Sequence, residues 1–254
     1  MDTGYEAKFD FPAREGSPER SYLLATVPRS GSTYVSHLLW RTGCLGAPLE
    51  YLNFEATGPY GHANASPAEQ RSLWDAALRR RTSPNGVFGL KGFPPQFEAL
   101  AQENSDLLAR VMRQMVPSRE ASRVILLRRR DRTAHAISYA RAIISGIWRQ
   151  EQEGNARFEP EYSSVAVERA ARLIEAQEAA WQAMIADLKL VPMVLYYEDV
   201  VAEPNAAIGQ VAEFLGVEID PAAEVNIPVI RRQSQEGARA WAERHHGVSR
   251  PSFP

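Results

Sequence analysis

Cysteine is nearly absent from this 254-residue chain, which contains only Cys44. A single thiol excludes an intramolecular disulfide and leaves no cysteine cluster that could bind zinc. The sequence also lacks an apolar stretch as long as a membrane span, and the first twenty residues are charged and contain no apolar signal-peptide core. These absences predict a cytoplasmic protein without a membrane span.

A large excess of one charge is also missing, because 29 lysines and arginines face 31 aspartates and glutamates. This balance argues against nucleic acid as a partner. Positive charge is instead local, in Arg79 to Arg81 and in Arg128 to Arg130. The length and the 44% of hydrophobic residues suit one large α/β domain over residues 1–254, with residues 1–19 as a loosely packed arm.

Short apolar stretches alternate with amphipathic ones along the chain. The apolar stretches predict buried strands at residues 22–27, 87–90, 123–127 and 191–197. Helical patterns begin near residue 34 and cover residues 66–81, 105–115, 133–149, 163–188 and 205–215. This alternation predicts an α/β fold, with a parallel sheet flanked by helices on both faces and ligands bound beyond the carboxyl ends of the strands.

The first predicted strand leads through PRSGST, residues 28–33, into a helix. A glycine turn at a helix N-terminus presents backbone N–H groups and positive potential to an anion. Arg29 adds a full positive charge, and Ser30, Ser32 and Thr33 add donors around Gly31. The segment therefore favours phosphate or sulfate binding over its alternative, an ordinary capped turn between a strand and a helix.

The same segment differs from a Walker A loop. That motif needs GxxxxGK followed by Ser or Thr, and it works with Mg²⁺. Here the cation, Arg29, precedes the glycine, and the spacing is shorter. The pattern indicates a fixed anion with no need of a metal.

A second polar cluster, RRRD, follows the third predicted strand. Arg130 is the last arginine of this cluster, and Ser138 lies eight residues later in the next predicted helix. An arginine fork and a hydroxyl so placed can hold one phosphate. The alternative is an exposed arginine cluster beside an ordinary helical serine.

Taken together, these segments resemble the sulfotransferases that use 3′-phosphoadenosine-5′-phosphosulfate (PAPS), and most of all the bacterial trehalose 2-sulfotransferase family. The likeness runs in order along nearly the whole chain. It is carried by RSGST at 29–33, TGCLGAPLEYL at 42–52, NGVFGLKGF at 85–93, RRDRTAHAISYARA at 129–142, IWR at 147–149 and RRQSQEGARAWAER at 231–244.

The resemblance implies a P-loop-like α/β fold, PAPS as sulfuryl donor, an alcohol as acceptor and no metal. It implies that Ser30 to Thr33 hold the 5′-phosphosulfate, and that Arg130 and Ser138 hold the 3′-phosphate. Arg129 is the alternative to Arg130, and the sequence leaves the choice between them open. Arg232 and Gln233 match a pair expected to close over the nucleotide.

The same resemblance implies catalytic roles. Glu50 matches the acidic residue of the family and is the candidate general base, which would accept the proton of the attacking hydroxyl. Arg29 is expected against the bridging oxygen of the donor, and Lys91 matches the lysine after the second strand. His62 is a weaker candidate for the base, and structural roles are expected for His37 and His135.

Several positions depart from the family pattern, namely Phe93, Tyr139-Ala140 and Leu52 to Phe54. They are expected to line the acceptor pocket, so the acceptor is a trehalose-like carbohydrate or a related small alcohol. The family likeness makes a homodimer the default expectation. The competing functions are a P-loop-type nucleotide kinase and a non-catalytic nucleotide-binding protein.

Overall fold

Four parallel β-strands form the centre of the computed structural model, which describes residues 2–148, 160–229 and 236–248. Their order across the sheet is β2-β1-β3-β4. The two inner strands are nearly free of exposed residues, which explains their continuous apolar sequence. The strands are β1 (Arg20–Ala25), β2 (Val87–Gly92), β3 (Val124–Arg128) and β4 (Met193–Tyr196).

The register brings the carboxyl ends of the strands to one edge of the sheet. Leu24 pairs with Lys91 of β2 and with Ile125 of β3. Arg128, the last residue of β3, pairs with Tyr196 of β4. The predicted parallel sheet is confirmed, and its carboxyl edge carries the PRSGST segment, Lys91 and the arginine cluster.

Helices connect the strands, and several begin at a side-chain cap. Ser66 Oγ accepts the N–H of Glu69 at 3.4 Å, and Asp131 Oδ1 accepts that of Ala134 at 2.8 Å. The helices are α1 (Ser32–Trp40), α2 (Pro67–Arg80), α3 (Pro94–Glu103), α4 (Ser105–Met115), α5 (Arg132–Ser145), α6 (Ser164–Asp187), α7 (Tyr197–Ala202), α8 (Pro204–Leu215) and α9 (Glu236–Val248).

Alternate strand residues pack against helices on opposite faces of the sheet. Leu23 and Leu90 face a cluster that includes Trp74 of α2 and Trp181 of α6. Leu24 and its neighbours on the other face pack against α1, α7 and α8. The prediction of helices on both faces is therefore confirmed. No helix in the described part of the chain is long and apolar enough to cross a membrane.

The first residues pack more tightly than the sequence predicts. Phe9 and Phe11 are buried in the main core, against the expectation of a loosely packed arm. Arg81, itself buried, donates to the carbonyls of Gly4 and Tyr5 at 2.9 Å each. The charged composition of this segment does not indicate that two of its aromatic residues are buried, or that a buried guanidinium binds its backbone.

Four helices differ from the predictions. α5 ends at Ser145 rather than at residue 149, because Gly146 adopts a left-handed conformation after it. α3 begins at Pro94, where the Gly-Phe-Pro-Pro sequence resembles a loop but prolines suit the first turn of a helix. α7 begins at Tyr197, so the last strand ends one residue earlier than predicted. α9 was not among the predicted helices, and its Trp241 is buried against α5 and α6.

Candidate active site

The turn between β1 and α1 is built around two left-handed residues. Arg29 has a φ of 67° and Gly31 a φ of 87°. A non-glycine residue in this region is strained, and such strain concentrates at functional sites. Gly31 is required, because a Cβ there would lie 2.1 Å from the ring of Tyr197. α1 begins directly after it with no side-chain cap, which leaves its first amides for an anion.

Buried side chains hold this turn from beneath. The hydroxyls of Thr26 and Ser30 lie 2.6 Å apart, and Trp181 Nε1 donates to the Thr26 carbonyl at 2.8 Å. His135 Nε2 lies 2.8 Å from the Pro28 carbonyl, and its ring is fully buried. Burial lowers the pKa of His135 to about 4, against a hydrogen bond to Pro28 that raises it. The Ser30 hydroxyl contacts Thr26, and the Ser30 N–H donates to the Val27 carbonyl at 3.2 Å, so both donors of Ser30 are engaged within the turn.

The two segments singled out in the sequence meet in space. Arg29 Nε donates to Ser138 Oγ on α5 at 3.1 Å, across 109 positions of the chain. Arg29 also donates to the carbonyl of Trp148. Arg129 Nη1 donates to the carbonyl of Arg29 at 3.4 Å. A guanidinium, a hydroxyl and a second guanidinium therefore stand together beside the anion turn.

Arg130 takes a different partner from the one predicted. Its guanidinium forms a bidentate pair with Asp199, in which Nη2 lies 2.7 Å from Oδ2, and it lies 4.0 Å from the centre of the Tyr196 ring. The hydrogen bond to Asp199 raises the pKa of Arg130 and lowers that of Asp199. Arg130 therefore pairs with Asp199, whereas Ser138 pairs with Arg29. The reason is that the first turn of α7, which carries acidic residues, lies beside Arg130 at the edge of the sheet.

Glu198 completes this acidic start of α7. Its carboxylate accepts the backbone N–H of Arg130 at 3.0 Å and that of Asp131 at 3.3 Å. Burial raises the pKa of Glu198, but these backbone hydrogen bonds outweigh it and the pKa is lowered. Glu198 thus fixes the turn after β3, and it lies 3.8 Å from Arg129 Nε.

Glu50 and Lys91 form a buried ion pair at the carboxyl end of β2. Glu50 Oε1 lies 3.0 Å from Lys91 Nζ, and the two side chains are 12% and 1% exposed. The pairing follows from the backbone, because Leu49 bridges Leu90 in parallel and its carbonyl accepts the Lys91 N–H at 3.0 Å. Two residues chosen separately from the sequence are therefore direct partners.

Further contacts hold Glu50 that the sequence did not suggest. Asn53 Nδ2 donates to Glu50 Oε2 at 3.0 Å, and the Glu50 N–H donates to the hydroxyl of Tyr5 at 3.0 Å. Asn53 stands three residues after Glu50, a spacing that offered a weak signal. Tyr5 lies in the N-terminal segment, and nothing in its local sequence indicates this contact.

The remaining candidates lie apart from this pair. The His62 ring is exposed and its Nε2 lies 3.5 Å from Glu69, so its surroundings differ from those of Glu50. The buried His37 ring lies 2.8 Å from the Thr33 carbonyl, which fits the expected structural role. Arg232 and Gln233 fall outside the described residues. Among the described residues, no group of three or more His, Cys, Asp or Glu side chains could hold a metal.

Comparison with known protein families identifies the family of the chain. The family model described as Stf0 sulphotransferase matches residues 21–247, which is most of the chain. The chain belongs to the Stf0 sulphotransferase family. It is thus a sulfotransferase, an enzyme, and the anion turn and the Glu50–Lys91 pair both lie within the matched residues.

Two relatives of this Stf0 protein carry a more specific name. It is 26% identical to the trehalose 2-sulfotransferase of Mycolicibacterium smegmatis, over 89% of this chain and 94% of the relative. It is 24% identical to the enzyme of the same name from Mycobacterium tuberculosis, over the same shares. A solved sulfotransferase domain from the Synechococcus PCC 7002 olefin synthase matches with 13% identity and a TM-score of 0.44, over 96% of this chain and 99% of that one.

Proposed function

We propose that this enzyme transfers the sulfuryl group of PAPS to a hydroxyl of trehalose or a related carbohydrate, with Glu50 as general base. The observation that carries the proposal is the buried Glu50–Lys91 pair at the same sheet edge as the anion turn. A carboxylate there stands at the end of a parallel sheet, where ligands of such folds bind. The named relatives support the sugar as acceptor.

The anion turn is the proposed site of the 5′-phosphosulfate. The amides of Gly31, Ser32 and Thr33 would donate to its oxygens, because α1 has no side-chain cap and Gly31 permits close approach. The Ser30 amide would have to leave the Val27 carbonyl to join them. Arg29 would face the bridging oxygen, where negative charge grows as the sulfuryl group leaves. Sulfuryl transfer resembles phosphoryl transfer in needing alignment and charge stabilisation rather than covalent chemistry, so we propose no metal.

The 3′-phosphate is assigned to Ser138 together with one arginine of the cluster. Arg129 suits this role because it lies beside Arg29, which itself contacts Ser138. Arg130, the first candidate, would have to leave Asp199 to take part. Closure of Arg232 and Gln233 over the nucleotide, and a homodimer, stay predictions.

Glu50 would accept the proton of the sugar hydroxyl as its oxygen attacks sulfur. Lys91 supplies the counter-charge that a buried carboxylate needs, and Asn53 holds the second carboxylate oxygen. Both contacts leave the carboxylate fixed in orientation, which general base catalysis requires.

The decisive experiment incubates the protein with trehalose and PAPS radiolabelled in the sulfonate, with and without EDTA. We expect labelled trehalose and 3′-phosphoadenosine-5′-phosphate (PAP) in both samples. Glu50→Gln should lower kcat by about 10² to 10⁴, whereas Glu98→Gln, a change at an exposed glutamate of α3, should not. In a parallel assay with ATP in place of PAPS, metal-dependent phosphate transfer would indicate a kinase instead. PAP binding without turnover in either assay would indicate a non-catalytic protein.

A further inference from the structure

The backbone of Glu50 is held from two sides. On one side, the parallel bridge between Leu49 and Leu90 ties it to β2. On the other side, the Glu50 N–H donates to the hydroxyl of Tyr5 at 3.0 Å. Tyr5 belongs to the N-terminal segment, 45 positions away, which no local pattern linked to the site.

The ring of Tyr5 holds the far end of the same loop. It packs edge-on against Tyr60 at 5.4 Å between ring centres, with the planes at 86°. Tyr60 in turn packs against Phe54 and against His62, at 6.4 and 6.3 Å. A single side chain thus contacts both ends of the stretch from Glu50 to Tyr60, the hydroxyl at one end and the ring at the other.

Arg81 fixes the backbone that carries Tyr5. Its guanidinium donates to the carbonyls of Gly4 and Tyr5 at 2.9 Å each and lies 3.0 Å from Asp10 Oδ1. Its side chain is 5% exposed and stacks near Trp40, so these contacts lie in the protein interior. A planar fork with several donors suits such a set of carbonyls, and lysine would not replace it.

We infer that Tyr5 is a positioning residue for the general base, and that the N-terminal segment held by Arg81 is part of the acceptor side of the active site. This inference rests on the proposed role of Glu50. It assigns separate tasks to the two parts of Tyr5: the hydroxyl orients Glu50, and the ring holds the loop that follows it. The two tasks can be separated by mutation, since phenylalanine retains the ring alone.

The test compares Tyr5→Phe with Lys8→Ala. Lys8 lies in the same segment, but its side chain is half exposed and pairs with Asp2. We expect Tyr5→Phe to lower kcat on the order of tenfold, because a backbone amide loses its acceptor. PAP affinity measured by calorimetry should be unchanged, and Lys8→Ala should behave as wild type. Arg81→Lys should reproduce the loss of kcat and lower the melting temperature as well.

A double mutant separates orientation of the base from general stability. In a Glu50→Gln background no base is left to orient, so Tyr5→Phe should cause little further loss. A further loss of about tenfold in that background, or wild-type kcat in Tyr5→Phe alone, would overturn the inference.

Hydrogen exchange provides a readout that does not depend on turnover. The amide of Glu50 should exchange faster in Tyr5→Phe than in wild type, while the amide of Lys91, bonded to Leu49, should not change. Unchanged exchange at Glu50 would refute the contact. If the wild-type protein transfers no sulfuryl group to trehalose, the proposed function fails, and this exchange comparison alone decides on Tyr5.

Discussion

Glu50 and Lys91 share a buried contact of 3.0 Å, although 41 positions separate them in the sequence. Each was chosen for a separate role, and the structure makes the roles interdependent. Lys91 faces the base directly, so its first effect is on the charge and orientation of Glu50. Any change to one residue leaves the other as a charged group in the protein interior.

The stability of the pair gives the first prediction. Lys91→Met should lower the free energy of unfolding by about 3–5 kcal/mol, because it strands a carboxylate that is mostly buried. Glu50→Gln should also destabilise, since Lys91 then lacks its counter-charge. The double variant should lose less than the sum of the two, as measured by urea unfolding. Strict additivity would contradict the contact.

The arginine cluster gives the second prediction. Arg129→Ala should weaken binding of PAP by about 2–5 kcal/mol, the cost of removing one side of a charge pair. Binding of adenosine 5′-phosphosulfate, which lacks the 3′-phosphate, should change little, and Arg130→Ala should affect both ligands weakly. If calorimetry instead shows a larger loss of PAP affinity in Arg130→Ala than in Arg129→Ala, Arg130 is the residue that contacts the 3′-phosphate.

Arg29 gives the third prediction, on turnover rather than affinity. Negative charge on the leaving oxygens grows in the transition state, so a cation there acts mainly on the rate. Arg29→Met should lower kcat by about 10² to 10³ and raise the donor KM much less. Arg29→Lys should recover part of the rate, since it restores the charge without the fork that contacts Ser138. A change confined to KM would assign Arg29 to ground-state binding alone.

His135 gives the fourth prediction, on pH. Its pKa falls from 6.5 to about 4 in the folded protein because the ring is buried, with the charge of Arg129 also lowering it. The unfolded chain therefore binds a proton first as the pH falls, and stability is lost between about pH 6.5 and 4. The loss from this group should reach roughly 3 kcal/mol, and unfolding curves measured across this range would show it.

His135→Gln removes the titration and retains a donor for the Pro28 carbonyl. The free energy of unfolding of His135→Gln should depend less on pH over the same interval. Above this interval, the free energies of unfolding of the variant and the wild type should differ by a constant amount. His62→Gln, a change at an exposed histidine that precedes α2 in the chain, is the matched control. An equal pH dependence in His135→Gln and wild type would mean that other groups cause the acid loss.

Local patterns predicted most of the fold. Apolar runs identified all four strands, and the Ser66 cap located the start of α2. A glycine between hydroxyl residues marked the anion turn. Each of these features is determined by residues that lie close together in the sequence, so a local pattern is enough to predict it.

The contacts that build the site depend on residues far apart in the chain. Nothing near Arg29 indicates that Ser138 will accept its hydrogen bond, and nothing near Arg130 indicates Asp199. The packing of the N-terminal segment was missed for a similar reason, because its partner Arg81 lies at the end of α2. Such pairings arise only when the sheet and its helices have come together.

Trp181 links the anion turn to an optical signal. Its buried indole donates to the Thr26 carbonyl, and the Thr26 hydroxyl contacts Ser30 within the turn. Indole emission responds to its hydrogen bond and to nearby charge, so a nucleotide seated on the turn would be reported by this tryptophan without any label. If the proposed donor site is correct, binding of PAP should therefore change the emission of Trp181.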